Sequence, residues 1–558
     1  MSLEQLITDN IDTWTSTVKT KATTGRGSSK KLELYGVKKL RELILELAVR
    51  GKLVPQDPND EPASVLLERI AEEKAQMVKE KKISKVKKRS ALTEQEKATE
   101  LPNGWAVCHF GDLYHLEYGD NLPKAKRSES GEYPVYGSNG IVGTHNELSV
   151  DGPCVVVGRK GSAGALNISS RPCWVTDVAY SVIPPVGITL NYCFLHLSTF
   201  GLDSLGKGIK PGLNRNEANV LVVCLPPTEE QHRIVAKVDE LMTLCDQLEQ
   251  QTEASIAAHQ VLVTTLLDTL TNSADADELM QNWARISEHV DTLFTTEASI
   301  AQLKQTILQL AVMGKLVPQD QNDEPAAKLL ERIAEEKAQL IKDKKIKKQK
   351  ALPPIADGEK PFELPNGWEW CRFGNVAISR LGKMLDKSKN VGVPLPYLRN
   401  TNVQWHRFEL DDIKLMKIED AEKEELLVLP GDLLICEGGE PGRCAIWKDK
   451  KQEIYFQKAL HRARPLGKCL SEYLQICLTV DANSGHLDKY FTGATIKHFV
   501  GAKLNNYVHS LPPLKEQSRI VAKADELIFI CDLLKVRLKD SQATQLHLTD
   551  AIVEQTVN

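Results

Sequence analysis

Residues 47–82 read LAVRGKLVPQDPNDEPASVLLERIAEEKAQMVKEKK, and residues 310–345 read LAVMGKLVPQDQNDEPAAKLLERIAEEKAQLIKDKK. The two stretches differ at 7 of 36 positions and need no gap. At the same offset of 263 residues, Leu101-Pro-Asn-Gly-Trp105 recurs as Leu364-Pro-Asn-Gly-Trp368, and Phe110-Gly-Asp112 as Phe373-Gly-Asn375. A second pair, LPPTEEQHRIVAKVDELMTLCDQLE from Leu225 and LPPLKEQSRIVAKADELIFICDLLK from Leu511, is offset by 286. The offset therefore grows by 23 between the blocks, and residues 106–224 and 369–510 show little alignable similarity. Two near-identical frames hold two different inserts.

Working outward, the frame reads as helix. Leu40, Leu43, Ile44, Leu47 and Ala48 fall at helical spacing, Gly51 can take a left-handed cap, and Pro55 and Pro58 prevent continuation. Asp60-Glu-Pro62 restarts a helix, with acidic residues in its first turn and Leu66, Ile70 and Met77 on one side. It runs into Lys79, Lys81, Lys82, Lys85, Lys87, Lys88 and Arg89, as the copy runs into Lys342, Lys344, Lys345, Lys347, Lys348 and Lys350. Such a tail is a solvated helix end, or a phosphate or subunit contact.

From Thr228 another helix begins, on which Ile234, Val238, Leu241, Cys245 and Leu248 step by 4, 3, 4 and 3. Ile520, Ala524, Leu527, Cys531 and Leu534 repeat the steps. This is a coiled-coil seam, expected to act as a spacer against the other repeat's helices; the alternative is an amphipathic helix packed on its own domain. Residues 273–310 read as helix, and Ile11-Asp-Thr-Trp14 echoes Val290-Asp-Thr-Leu293. Asn558 corresponds to Asn272, so the C-terminal and N-terminal helices are expected to rebuild the connector that residues 225–314 form without interruption. A quasi-circular molecule with a pseudo-twofold axis follows.

The inserts change character. Cys154-Val-Val-Val157 and Leu221-Val-Val-Cys224 are β-rich runs between Gly, Asn and Pro. Loops Tyr136–Gly140, Gly158–Gly164 and Gly206–Arg215 between them mix glycines with basic and amide side chains; in the second insert Leu395–Asn402, Leu429–Arg443 and Gly493–His498 are the informative stretches. Glycine lets backbone N–H groups approach phosphate, and Arg, Lys and Asn can reach base edges; tight turns with solvating charges are the plainer reading.

Of 558 residues, 42% are hydrophobic and 26% charged, which suits a globular chain of several domains. No apolar run approaches a membrane span and MSLEQLITDN is no signal peptide, so a cytoplasmic location is expected. Twelve cysteines without a C-x-x-C pair read as buried thiols. Net charge is −4, with −1 for the first insert and +3 for the second, so any DNA contact must come from local patches or from partner subunits. Methyl transfer would need Asn/Asp-Pro-Pro-aromatic, but each Pro-Pro here follows Leu or Ile. Gly201–Lys207 resembles a P-loop start, yet Gly208 replaces the Mg²⁺-binding Ser/Thr. Asp432 and Glu437 could suggest a nuclease pair without its lysine, and the thirteen histidines show no metal-ligand spacing.

Inserts opened by Leu-Pro-x-Gly-Trp and closed by Leu-Pro-Pro-x-x-Glu-Gln-x-x-Ile-Val-Ala-Lys resemble the DNA specificity (S) subunits of Type I restriction-modification enzymes. Gly-Lys-Leu-Val-Pro-Gln and Tyr133-Pro-Val-Tyr-Gly-Ser-Asn-Gly140 are also of that family's kind, and the resemblance covers essentially the whole chain. It implies an α/β (α+β) fold: two globular target recognition domains separated by long antiparallel coiled-coil helices. The expected segments are a helical frame (1–105), recognition domain 1 (106–224), a central spacer with the second duplicated block (225–368), recognition domain 2 (369–510) and a C-terminal helix (511–558). Each domain would read half of an interrupted asymmetric site on double-stranded DNA, with half-site spacing set by helix length. Expected DNA-contacting residues are Lys124, Arg127, Tyr136, Ser138, Asn139, Arg159, Lys160, Ser162, Lys207, Lys210, Asn214 and Arg215 in the first domain. In the second they are Lys383, Arg399, Asn400, Asn402, Glu437, Arg443, Thr495, Lys497 and His498. The resemblance further implies two methyltransferase (M) subunits and restriction (R) subunits as partners. Those would carry S-adenosylmethionine, ATP and Mg²⁺; this chain would bind no cofactor, catalyse nothing and contact no membrane. An assembly scaffold built on coiled-coil arms is the rival reading.

Overall fold

The computed structural model describes residues 3–22, 30–80, 92–93, 101–205, 212–274, 276–348, 350–386 and 390–557. The basic run Lys81–Arg89 and the candidates Lys207 and Lys210 lie outside them. Internal contacts divide the chain into two compact units, Met1–Ser255 with Ser541–Asn558, and Ile256–Asp540.

Each unit contains one copy of the frame, and the copies make the same contacts. Helix Tyr35–Val49 stops before Gly51 at φ +67°, and helix Glu297–Val312 before Gly314 at φ +71°, a backbone conformation that costs glycine least. The next helices, Ala63–Lys79 and Ala326–Lys342, start one residue after the expected proline, which is the N-cap. Their acidic residues leave the first turn. Asp60 pairs with Arg233 at 2.6 Å and Asp323 with Arg519 at 2.7 Å. Both carboxylates are buried while the guanidiniums stay about a third exposed, and a charge-assisted hydrogen bond to a shielded carboxylate, even discounted for that exposure, outweighs the about 0.3–1 kcal/mol of an exposed helix-dipole contact. Buried Glu230 accepts from Trp105 Nε1 (3.0 Å) and Gln56 Nε2 (3.2 Å), and buried Glu516 accepts from Gln319 Nε2 (3.2 Å). The amides of Ala63 and Ala326 each donate over 2.8 Å to the carbonyl of the Leu-Pro-Asn-Gly-Trp glycine, Gly104 and Gly367. Identical sequence has thus produced the same hinge between helix and insert twice.

Helices Thr228–Asn272 and Leu514–Val557 carry the heptad seams. Ile234, Val238, Leu241, Cys245 and Leu248 are buried, as are Ile520, Ala524 and Cys531. Leu527 and Leu534 are partly buried against a cluster that holds Val263, Leu267, Ile300, Leu303 and Ile307. Both seams pack inside their own unit: Arg41 reaches Asp246 at 2.7 Å, and Lys304 reaches Asp532 at 2.5 Å. The helical reading of the N-terminus missed a hairpin, Lys19–Ala22 with Lys30–Glu33, whose four-residue strands are too short to show a period of two. Within the first unit Ser541–Asn558 lies against this region, with Thr17 and Thr549 hydroxyls 3.0 Å apart and Tyr35 Oη donating to Asp550 at 2.9 Å. Lys52 Nζ donates to Val557 O at 2.8 Å, which by both offsets is the contact Lys315 makes with Thr271 O, also 2.8 Å.

The inserts, unalike in sequence, share one topology. In the first, strands Glu117–Tyr118, Ala179–Val182, Cys154–Gly158 and Leu166–Ser169 form a sheet in that order. In the second the order is Ala377–Leu381, Leu460–Pro465, Leu433–Cys436 and Cys444–Ile446. Each insert adds a three-stranded sheet whose central strand, Tyr133–Gly137 or Val393–Leu398, pairs parallel with Trp174–Val175 or Tyr455–Phe456. Each is closed by an antiparallel pair, Ala106–His109 with Val222–Leu225 and Glu369–Arg372 with Val508–Leu511. Fully buried strands Cys154–Gly158 and Leu433–Cys436 form the middle of each core. The twelve cysteines are free thiols, and all but Cys224 are buried.

Candidate nucleic-acid interface

In each insert the end of that buried strand meets two other nominated segments. Gly158 N donates to Ala165 O at 2.7 Å while Gly158 O accepts from Gly164 N at 2.9 Å; Cys436 N donates to Arg443 O at 2.8 Å while Cys436 O accepts from Gly442 N at 3.0 Å. The loops Gly158–Ala165 and Cys436–Arg443 are therefore the same turn, with glycines at φ +83° and +80° in one and +84° and +92° in the other. In the first, a Cβ on Gly158 would collide with the carbonyl oxygens of Ser162 and Ser138, so only glycine lets the neighbouring hairpin approach. In the second, Asn400 Nδ2 lies 3.0 Å from where a Cβ on Gly439 would sit. His498 Nδ1 lies 3.2 Å from the corresponding point on Gly438.

The first unit gathers cations around an aromatic pair. Tyr118, nearly half exposed, stacks with Tyr180 at 5.0 Å between centroids. The Arg159 and Arg215 guanidinium carbons lie 5.1 and 4.9 Å from the Tyr118 ring centre. Arg215 is also held by Leu116 O at 3.2 Å, and Asn214 caps the short helix Arg215–Ala218 through Asn216 N. Tyr180 donates to Leu213 O at 3.0 Å, and burial, reinforced by Tyr118, pushes its hydroxyl up to about 12 despite both arginines. It stays a neutral donor at working pH. Lys160 and Asn139 are exposed, and Ser138 and Ser162 half-buried, around this group. Lys124 is exposed on a separate turn, where Arg127 donates to Leu122 O at 3.0 Å.

The second unit keeps its nominated arginines and lysines paired. Lys383 is bound to Glu422; Arg399 meets Asp412 at 2.7 Å, Arg443 meets Glu440 at 2.9 Å and Lys497 meets Asp488 at 2.9 Å. Arg443 also donates to Asn400 O at 2.9 Å, so it braces the strand end. Thr495 and His498 are exposed on a loop closed by reciprocal Thr492 and His498 backbone bonds of 2.9 and 2.8 Å.

Two nominated residues are corrected. Tyr136 points into the core among Val150, Cys154 and Val156, with its hydroxyl on Ile168 O at 3.1 Å, because its strand is buried on both faces from Pro134 onward. Asn402 is 3% exposed, accepting from Arg399 N at 2.9 Å and donating to Glu409 O at 2.8 Å; it shapes the turn and has no free edge. The nuclease pair also dissolves, since buried Asp432 is held by Arg464 at 2.6 Å and Leu429 N at 2.7 Å. Tyr118 was missed; its sequence neighbourhood Glu-Tyr-Gly carries no signal, because its partners lie 41 and 97 residues away. Among the described residues no group of three or more His, Cys, Asp or Glu could hold a metal ion, and no helix is long and apolar enough to cross a membrane.

Comparison with known proteins bears on what such paired inserts serve. Residues 102–258 match the family described as Type I restriction modification DNA specificity domain. The specificity subunit of the Type I restriction enzyme EcoAI of Escherichia coli is 41% identical over the whole of both chains. The chain belongs to the Type I restriction enzyme specificity subunits. That of EcoEI, also from Escherichia coli, is 38% identical over the whole of both. The crystal structure of the HsdS subunit from Thermoanaerobacter tengcongensis overlaps 83% of this chain and 99% of its own at 18% identity, with a TM-score of 0.39. As a specificity subunit, the chain has a sequence-recognition role in a restriction-modification complex, and its two sheet-rich inserts on long helices are the parts that differ from each other.

Proposed function

We propose that each insert of this specificity subunit reads one half of an interrupted, asymmetric site on double-stranded DNA. The reading then directs adenine methylation or restriction performed by partner subunits. One observation carries it: a single backbone plan, repeated on a near-identical frame, bears different side chains where three segments converge. A scaffold would have no reason to vary only its inserts. The cations and amides at the first convergence, and the amide, carboxylate and imidazole at the second, are the groups that read base edges and phosphates. The chain itself is non-catalytic; two methyltransferase subunits and the restriction subunits supply S-adenosylmethionine, ATP and Mg²⁺ chemistry, in the cytoplasm.

The test is to combine the purified chain with its methyltransferase partner and S-adenosylmethionine, then map methylated adenines on random-sequence DNA. A two-part motif, reassigned half by half when residues 106–224 or 369–510 are exchanged, is the expected result. A stable complex without any motif would leave the scaffold reading in its place.

A further inference from the structure

Superposing hydrogen bonds rather than sequences aligns the two convergence sites residue by residue. The amide after the buried strand donates to Val178 O at 2.8 Å in the first unit and to Ala459 O at 2.9 Å in the second. The carbonyl of that same residue accepts from Leu213 N at 2.9 Å and from Phe499 N at 2.7 Å. The sheet neighbour of that strand end then holds the residue whose amide donates: Tyr180 Oη donates to Leu213 O at 3.0 Å, and His461 Nε2 meets Phe499 O at 2.9 Å. Cross-strand register agrees, with Tyr180 opposite Tyr118 and His461 opposite Leu381. The residue so clamped on both sides is Arg159 in one unit and Glu437 in the other.

The backbone at this position is held from both sides, so the side chain leaves the sheet from the same fixed point in each domain. Only its chemistry differs, and it reverses. Around Arg159 stand Tyr118, Lys160 and Arg215; the equivalent places around Glu437 hold Leu381, Gly438 and Gly501. Both side chains are half-buried, and among the described residues neither has an ion-pair partner, although the other nominated arginines and lysines of the second unit are paired. Arg159 rests on aromatic faces, which leave its N–H edge free.

We infer that Arg159 and Glu437 are the equivalent base-selecting positions of the two recognition domains, Arg159 taking the two major-groove acceptors of guanine and Glu437 an exocyclic amino donor, cytosine N4 first. The assignment rests on the function proposed above. It follows from donor and acceptor complement: a guanidinium matches O6 and N7 of guanine, and a carboxylate, which only accepts, is repelled by those atoms and matched by an amino group. A partly enclosed carboxylate left facing guanine or thymine oxygens would be unpaired, so this position discriminates against as well as for.

The experiment uses the full chain in complex with its methyltransferase partner, random-sequence DNA and the methylated-adenine readout. Arg159→Ala should relax one guanine position in one half of the motif, lowering discrimination roughly 5- to 150-fold, with the other half unchanged. Glu437→Arg should convert one position of the other half toward guanine. The near-isosteric Glu437→Gln should shift that same position toward adenine, which decides the matter if the arginine variant folds poorly. A two-part motif identical in parent and folded variants overturns this assignment while leaving the proposed function intact. A parent complex that methylates without any motif overturns both.

Discussion

Tyr118→Ala tests whether the aromatic platform of the first domain organises its arginines for DNA. The ring is nearly half exposed, and its loss uncovers little core, so fold stability should change by under about 0.5 kcal/mol. What it removes is the common face beneath Arg159 at 5.1 Å and Arg215 at 4.9 Å. Two long side chains would then have to be ordered on binding, at about 0.5–1.5 kcal/mol each, or about 1–3 kcal/mol in sum. Affinity of the assembled complex for its site should fall roughly 5- to 150-fold. No charge is lost, so the slope of log affinity against log salt should stay as it was, since that slope counts neutralised phosphates. Tyr118→Phe keeps the ring and should bind within about threefold of the parent, given exposed cation–π contacts of about 0.5–1 kcal/mol. Fluorescence anisotropy titrations at several salt concentrations read both quantities. Unchanged affinity of the alanine variant, or a slope lower by a full unit, would refute the platform argument.

The two domains should differ in electrostatics: Arg215→Ala is expected to reduce the salt slope by about 0.9, whereas Lys497→Ala, whose ammonium is already paired with Asp488, should leave it nearly unchanged. Equal slopes for the two variants would sink that distinction. Leu66 and Leu329 occupy the same buried place in the two frame helices, where Leu66 fills the space over Gly187 and Leu329 that beside Gly467. Alanine at either should cost about 2–5 kcal/mol in denaturant unfolding, and a loss below 1 would contradict the packing. His196 is fully buried beside Tyr114, Tyr192 and Phe200, and burial holds its imidazole down at about 3. The unfolded chain therefore binds one more proton between about pH 6.5 and 3, so stability from this group is present above 6.5 and lost as pH falls. Between pH 7 and 5 the loss is about 2 kcal/mol, and His196→Gln should remove that part of the pH dependence in thermal unfolding.

Much of the frame was legible because duplication repeats whole interaction sets. Asp60, Arg233, Gln56, Glu230 and Trp105 recur as Asp323, Arg519, Gln319, Glu516 and Trp368, and the Asp–Arg and Gln–Glu pairs meet through the same atoms in both units. Helix ends at Gly51 and Gly314 and the seam residues were visible for a local reason, since capping and heptad spacing act within a few turns. Identity fell short where a local rule met a distant partner, as when Asp60 left its helix for a guanidinium 173 residues away. The three loops of the first insert could be nominated from glycine, basic and amide content, but Tyr136 and Asn402 could not be sorted from their neighbours without the fold to say which side chains it encloses.

Sequence alone, then, determined the duplication, the helical frames and the existence of two dissimilar inserts, because near-identity and short-range periodicity need no partner to be read. Tertiary structure decided that the dissimilar inserts are one fold and that Arg159 and Glu437 stand at one address. Sheets are held by backbone hydrogen bonds, which different side chains leave equally satisfied, so two sequences can diverge beyond alignment while strand order and the bonds at the strand end stay in place. The equivalence resides in bonds from residues 159 and 437 to residues 178, 213, 459 and 499, and only the folded chain brings those together.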